Sequence, residues 1–160
     1  MKVLFLHGLE SGPHGNKYQV LTLSGYDVIA PDFTDCPLAA RVRATVPLLV
    51  AYRPLVVGSS YGGLTAVLAA MRAKVELPGM ILCAPALERD EEPNRPGELN
   101  VACPTTIIHG TRDQIIPIEG TRRFIARNPH VQLVEVDDGH RLANSLGTLL
   151  KVIEGYSKSS

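Results

Sequence analysis

The stretch Val56-Val57-Gly58-Ser59-Ser60-Tyr61-Gly62-Gly63 constrains the fold of this chain more than any other. An apolar run ends in a glycine, a serine follows two residues later, and another glycine stands two beyond that. From Leu64 to about Arg72 the pattern turns helical, with Leu64, Val67, Leu68 and Met71 on one side. A G-x-S-x-G segment between a strand and a helix folds as a sharp turn with the serine at its apex. The turn holds that serine in a strained backbone conformation, and the flanking glycines let strand and helix close on each other. Ser60 is therefore expected above the sheet edge, with the Tyr61 N–H beside it and a helix N-terminus behind it. Paired glycines such as 62 and 63 also occur in phosphate-binding loops. The Lys-Ser/Thr ending of those loops is missing here, which disfavours nucleotide binding.

Short apolar runs alternate with helical patterns on both sides of this turn. Val3 to Leu6, Tyr26 to Ala30, Leu55 to Val57, Met80 to Cys83, Thr105 to Ile108 and Val131 to Val136 read as strands. Asn16 is placed to cap a helix through Leu23 that Gly25 closes. Asp35-Cys36-Pro37 opens another, in which Pro47 predicts a kink or a break. Pro117 opens a helix to about Arg127, and Leu142 to Tyr156 carries Leu142, Leu146, Leu149, Leu150 and Ile153 at helical spacing. The alternation predicts an α/β fold, a three-layer sandwich with a six-stranded, mainly parallel sheet and helices on both faces. A chain of 160 residues that is 45% hydrophobic can bury one sizeable core. Residues 1–157 are read as a single domain and 158–160 as a flexible tail. Only Glu88 to Glu98 breaks the rhythm; charged and interrupted by prolines, it reads as an exposed loop or a single-turn insertion.

Lys plus Arg and Asp plus Glu are each 16, and a net charge of zero offers no broad attraction for nucleic acid or an anionic membrane. No apolar run approaches the roughly 20 residues that span a bilayer. Lys2 to Leu6 leads straight into His7-Gly8, without the cleavage site of a signal peptide. Cys36, Cys83 and Cys103 show no C-x-x-C spacing, which argues against a disulfide framework or a metal site. Free thiols suit a reducing interior, so the expected location is cytoplasmic. No metal or organic cofactor is called for.

A serine hydroxyl needs a base to take its proton, commonly a histidine oriented by a carboxylate. In an open parallel sheet these groups come from loops at the carboxyl ends of strands. Of the 5 histidines, His140 in Val136-Asp137-Asp138-Gly139-His140 follows the last strand and is read as the base. His7 and His109 each stand at a strand end before glycine and suit turn bracing. His14 and His130 lie in or beside polar loops. Asp113, in His109-Gly110-Thr111-Arg112-Asp113-Gln114, follows the fifth strand and is read as the orienting acid. Its plainer reading is a turn aspartate capping the helix that Pro117 opens. Asp137 and Asp138 are rivals, disfavoured because close sequence neighbours rarely reach across the ring. Cys83 and Cys103 read as buried small hydrophobes, Cys36 as a loop thiol, and Arg122-Arg123 as a solvated helix face.

The order Ser60, Asp113, His140 matches that of the α/β-hydrolases. Gly58-Ser59-Ser60-Tyr61-Gly62, His109-Gly110-Thr111-Arg112-Asp113 and Asp138-Gly139-His140 resemble the three signatures of that family. Phe5-Leu6-His7-Gly8-Leu9 resembles its oxyanion-loop motif, and the likeness spans nearly the whole chain. The size and the His7-Gly8-Leu9-Glu10-Ser11 loop most resemble small, cap-less bacterial serine esterases of the YqiA-like kind. The resemblance implies strand order 2-1-3-4-5-6, catalytic roles for Ser60, Asp113 and His140, and an oxyanion hole made by the N–H groups of Leu9 and Tyr61. In that order the first and third strands flank a topological switch point, where the loops bearing Leu9 and Ser60 meet. Set against the full family pattern, the chain begins at the third strand and has no cap domain. Only residues between Cys83 and Val101 are left to cover the site, which implies an open, shallow pocket.

The expected activity is that of a serine hydrolase cleaving small carboxylic esters through an acyl-enzyme, with a small-molecule ester or thioester as partner. Thioesterase or amidase/peptidase chemistry is the alternative for the same machinery, because a leaving-group pocket is built by shape. A non-catalytic ligand- or protein-binding module on the same fold is the other alternative, since fold alone does not settle function.

Overall fold

The computed structural model describes residues 1–89 and 98–158, and most of the loop expected over Glu88 to Glu98 lies outside them. The elements run β1 (Lys2–Leu6), α1 (Asn16–Leu23), β2 (Asp27–Ile29), α2 (Leu38–Tyr52), β3 (Leu55–Ser59), α3 (Tyr61–Ala73) and β4 (Met80–Cys83). They continue with β5 (Thr105–Gly110), α4 (Ile118–Arg127), β6 (Gln132–Val136) and α5 (Leu146–Lys158). The strands form one 6-stranded sheet, ordered β2-β1-β3-β4-β5-β6, and every neighbouring pair is parallel. No cap domain stands among the described residues.

Two apolar layers explain why the strands read as continuous runs. Leu4, Leu6, Val56, Met80, Leu82 and Ile107 face one layer, packed with Leu38, Val42 and Leu49 of α2, Leu64 and Val67 of α3 and Phe124 of α4. Their neighbours Val3, Phe5, Leu55, Val57, Ile81 and Ile108 face the other, with Leu21 of α1 and Leu149 and Ile153 of α5. A strand buried on both faces loses the apolar–polar alternation of a half-exposed one. Among the described residues no helix is long and apolar enough to cross a membrane.

Several boundaries differ from those expected. Asn16 opens α1 rather than capping it; Gly15 is the N-cap, and no side chain bonds to the helix start. Gly25, at φ +86°, follows the helix in the left-handed region. Pro47 does not break α2, which runs unbroken from Leu38 to Tyr52. The proline is exposed, while Leu38, Val42 and Leu49 anchor the helix in the core. That burial outweighs the roughly 3 kcal/mol an interior proline costs. The last helix starts at Leu146, not Leu142. Leu142 has φ 54°, and the Asp138 carboxylate draws in the Asn144 N–H and the Ser145 hydroxyl, so residues 139–145 form a loop. At its other end α5 reaches Lys158, past the point where fraying was expected; Ser159 and Ser160 lie outside the described residues.

Register then decides which loops meet. Leu6 lies beside Gly58 and Ser59 beside Cys83, so the loops after β1, β3 and β4 leave the sheet at one end. Gly110 pairs with Val136, which brings the loops after β5 and β6 side by side.

Candidate active site

Ser60 caps α3 at φ 54° and ψ −114°, a conformation costly for any residue with a Cβ. Its surroundings hold it there. The Ser60 N–H donates to the Cys83 carbonyl at 2.9 Å, and its own carbonyl accepts from Gly63 at 2.9 Å and Ala86 at 3.0 Å. A Cβ on Gly58 would stand 2.7 Å from the Gly62 carbonyl oxygen. One on Gly62 would overlap the Leu6 carbonyl. The glycines thus serve close approach between β3, α3 and β1, and the hydroxyl is left at the apex of the turn.

His140 bridges this hydroxyl to a carboxylate. Its Nε2 lies 3.0 Å from Ser60 Oγ and its Nδ1 2.8 Å from Asp113 Oδ2. A carboxylate only accepts, so Nδ1–H donates to Asp113 and Nε2 accepts the serine proton. The Asp113 side chain is wholly buried. Its Oδ1 accepts from the N–H groups of Ile115 at 2.9 Å and Ile116 at 2.8 Å. The turn aspartate and the histidine partner are therefore one residue using different oxygens. Behind it, buried His109 donates from Nε2 to the Ile116 carbonyl at 2.8 Å, while Thr121 Oγ1 lies 2.9 Å from its Nδ1. That same Nε2 lies 3.2 Å from Asp113 Oδ2.

The rival carboxylates are engaged elsewhere. Asp137 is exposed and pairs with Arg112 Nε at 2.7 Å. Asp138 accepts from the N–H of Gly139 at 2.8 Å, the N–H of Asn144 at 2.9 Å and the hydroxyl of Ser145 at 2.8 Å. Burial alone would raise its pKa; these bonds, led by that from Ser145, outweigh burial and hold it below the usual carboxylate value. Asp138 thus shapes the loop that carries His140 without touching the ring.

The loop after β1 lies against the elbow: a Cβ on Gly8 would stand 3.5 Å from Ser60 Cβ. His7 is fully buried. The Phe33 N–H donates to its Nε2 at 2.8 Å, so Nδ1 carries the proton and donates to the Gly8 carbonyl at 2.7 Å. Burial, with the nearby Arg41 charge, pushes its pKa below the ordinary histidine value. Ser11 Oγ accepts the Gly8 N–H at 3.1 Å. Leu9 is 42% exposed, whereas Tyr61 is buried.

One residue of this region escapes a reading of motifs. Arg41 of α2 is wholly buried, and burial lowers its pKa from the usual arginine value. It donates to the carbonyls of His7 at 2.8 Å, Gly8 at 3.3 Å, Phe33 at 3.1 Å and Cys36 at 3.1 Å. A signal was available: Arg41 falls on the inward stripe Leu38, Arg41, Val42, Thr45, Leu49 of its helix.

The remaining candidates stand apart from the relay. His14 is exposed with its ring 4.6 Å from that of Tyr18, and His130 is exposed. Burial pushes the Cys83 thiol up to about 11 and raises that of Cys103, leaving both inert at neutral pH. Cys36 is half-buried. Arg122 pairs with Glu135, and Arg123 forks onto Glu88 at 2.6 and 2.7 Å, so the two cations are neutralised. Among the described residues no group of three or more His, Cys, Asp or Glu side chains could hold a metal ion.

A model described as the alpha/beta hydrolase family matches residues 3–149. A crystal structure of a member of the alpha/beta hydrolase superfamily from Xanthomonas campestris pv. campestris is 26% identical, at TM-score 0.77, covering 99% of this chain and 98% of that one. Est1E from Butyrivibrio proteoclasticus is 16% identical at TM-score 0.76, covering 99% and 87% of the two chains. A monoacylglycerol lipase from Paleococcus ferrophilus is 16% identical at TM-score 0.77, covering 99% and 95%. The last two likenesses are of fold alone. No curated protein matches the sequence.

Proposed function

This chain belongs to the alpha/beta hydrolase family, and we propose that it is a serine hydrolase acting on small carboxylic esters through an acyl-enzyme. The observation that carries the reading is the unbroken relay from Ser60 Oγ through both His140 nitrogens to Asp113, at 3.0 and 2.8 Å. Ser60 Oγ attacks the acyl carbon as its proton passes to His140 Nε2. The N–H groups of Leu9 and Tyr61 receive the oxyanion that develops on the carbonyl oxygen. The bond to the leaving alcohol then breaks, and Nε2–H returns the proton to that alcohol. Water repeats the sequence against the acyl-enzyme, with His140 as its base, releasing the acid and restoring Ser60. Asp113 holds the Nδ1–H tautomer throughout and stabilises the imidazolium as it forms.

A fluorophosphonate probe tests the reading: it phosphonylates Ser60 in the wild-type protein and leaves a folded Ser60→Ala variant unlabelled. Folded wild-type protein that stays unlabelled overturns the proposal. A p-nitrophenyl ester series of rising chain length, run beside a thioester and a peptide, then separates substrates. Fastest turnover is expected on short acyl esters, and a preference for the thioester or the peptide reassigns the leaving group while keeping the relay.

A further inference from the structure

We infer that Arg41 is a positioning residue that aims and polarises the Leu9 N–H toward the oxyanion, an inference that rests on the serine-hydrolase reading above. The Gly8 carbonyl and the Leu9 N–H belong to one peptide group, which is planar and trans, so the two point in opposite directions. Whatever grips the carbonyl aims the N–H. Two donors grip it: His7 Nδ1 at 2.7 Å and Arg41 Nη2 at 3.3 Å. Arg41 also holds the preceding carbonyl, that of His7, through Nη1 at 2.8 Å, so consecutive peptides of this loop are tied to one rigid guanidinium.

The same group reaches the other side of the site. Its central carbon lies 4.8 Å from the centre of the Tyr61 ring, and Tyr61 supplies the second proposed donor. Arg41 thus holds the Gly8–Leu9 peptide and packs on the side chain of Tyr61, the two places from which the proposed donors come. Among the described residues no carboxylate pairs with it; its acceptors are the carbonyls of His7, Gly8, Phe33 and Cys36. A buried cation without a counter-ion costs more than an apolar side chain of the same size. A core that needed only filling at this position of α2 would be served by leucine or methionine. What the guanidinium adds is a permanent positive charge on the Gly8 carbonyl, and a carbonyl polarised in this way makes the N–H of its own peptide a stronger donor.

Arg41→Lys and Arg41→Met test this, read by melting temperature, by kcat and KM on a p-nitrophenyl ester, and by affinity for a trifluoromethyl ketone, whose hemiketal mimics the tetrahedral state. One well-aimed oxyanion donor is worth roughly 10²–10³ in rate, and Arg41 shares the aim with His7, which holds the same carbonyl at 2.7 Å. In the variants kcat is therefore expected to fall about 10- to 100-fold, with KM nearly constant and trifluoromethyl ketone affinity falling in parallel with kcat. Lysine, with one point charge for this set of carbonyls, restores only part of the loss. Folded variants with wild-type kcat and wild-type ketone affinity overturn the inference, as does a loss confined to KM. If neither variant folds, the wild-type protein decides. On phosphonylation of Ser60 the Leu9 amide proton is expected to shift downfield and exchange more slowly. A Leu9 amide that the adduct leaves unmoved shows that the peptide held by Arg41 does not face the oxyanion. Failure of Ser60 to label at all is a different result, and it overturns the underlying reading instead.

Discussion

Asp113 spends one carboxylate oxygen on structure and the other on the histidine. Oδ1 closes the turn onto the N–H groups of Ile115 and Ile116, while Oδ2 receives His140. Asp113→Asn keeps the first set of bonds and removes the acceptor that selects the Nδ1–H tautomer. The expected result is a kcat lower by about 10⁴, by analogy with other triads, in a protein whose melting temperature shifts little. Activity within tenfold of wild type would mean that another acid orients His140. At this scale the sequence could single out Ser60, Asp113 and His140 as candidates, which the fold joins by hydrogen bonds, because their residue types, order and strand-end positions are local properties of the chain. Arg41 could not be named from motifs. A charged residue on an inward stripe is visible in the sequence, but the carbonyls that receive it come from His7, Gly8, Phe33 and Cys36, and only folding collects them.

The elements that carry these residues differ in how they tolerate change. Gly62 sits where α3 presses against the end of β1, and a Cβ there would overlap backbone rather than a movable side chain. Gly62→Ala is expected to cost more than the roughly 1–3 kcal/mol of ordinary overpacking, read as a large drop in melting temperature or loss of soluble protein. Pro47 behaves in the opposite way. It is exposed inside an unbroken α2, so Pro47→Ala restores a backbone donor without disturbing the core. A stabilisation on the order of 1–2 kcal/mol is expected in urea unfolding, and no gain would show that the proline fits the helix without strain. The expected kink or break at Pro47 weighed local propensity alone, and the break does not occur. The continuous helix reflects Leu38, Val42 and Leu49, which local propensity does not count.

For the molecule as a whole, the fully buried His7 that follows β1 predicts a pH dependence of stability. Burial, the main cause, together with the Arg41 charge, holds the folded His7 pKa below its ordinary value, which is about 6.5 in an unfolded chain. Between the folded pKa and about 6.5 the unfolded chain binds a proton that the folded protein does not, so stability rises with pH across that window. The His7 contribution is complete above about 6.5 and is lost as pH falls from there toward the folded value. The melting temperature is expected to decline between pH 6.5 and 5, and His7→Gln is expected to flatten that decline. A wild-type melting temperature constant over this range would contradict it.

The chain alone dictated the alternation of strands and helices, and with it a parallel sheet, because apolar runs and helical spacing are written in neighbouring residues. It also dictated which side chains stand at strand ends. Tertiary structure decided the rest: that Asp138 folds back on its own loop while Asp113 reaches the imidazole, and that Pro47 stays helical. It also decided that a guanidinium lies beneath the proposed oxyanion hole. Each of these depends on groups that are not all chain neighbours arriving within about 3 Å of one another, the reach of a hydrogen bond, or on burial that outweighs a local preference.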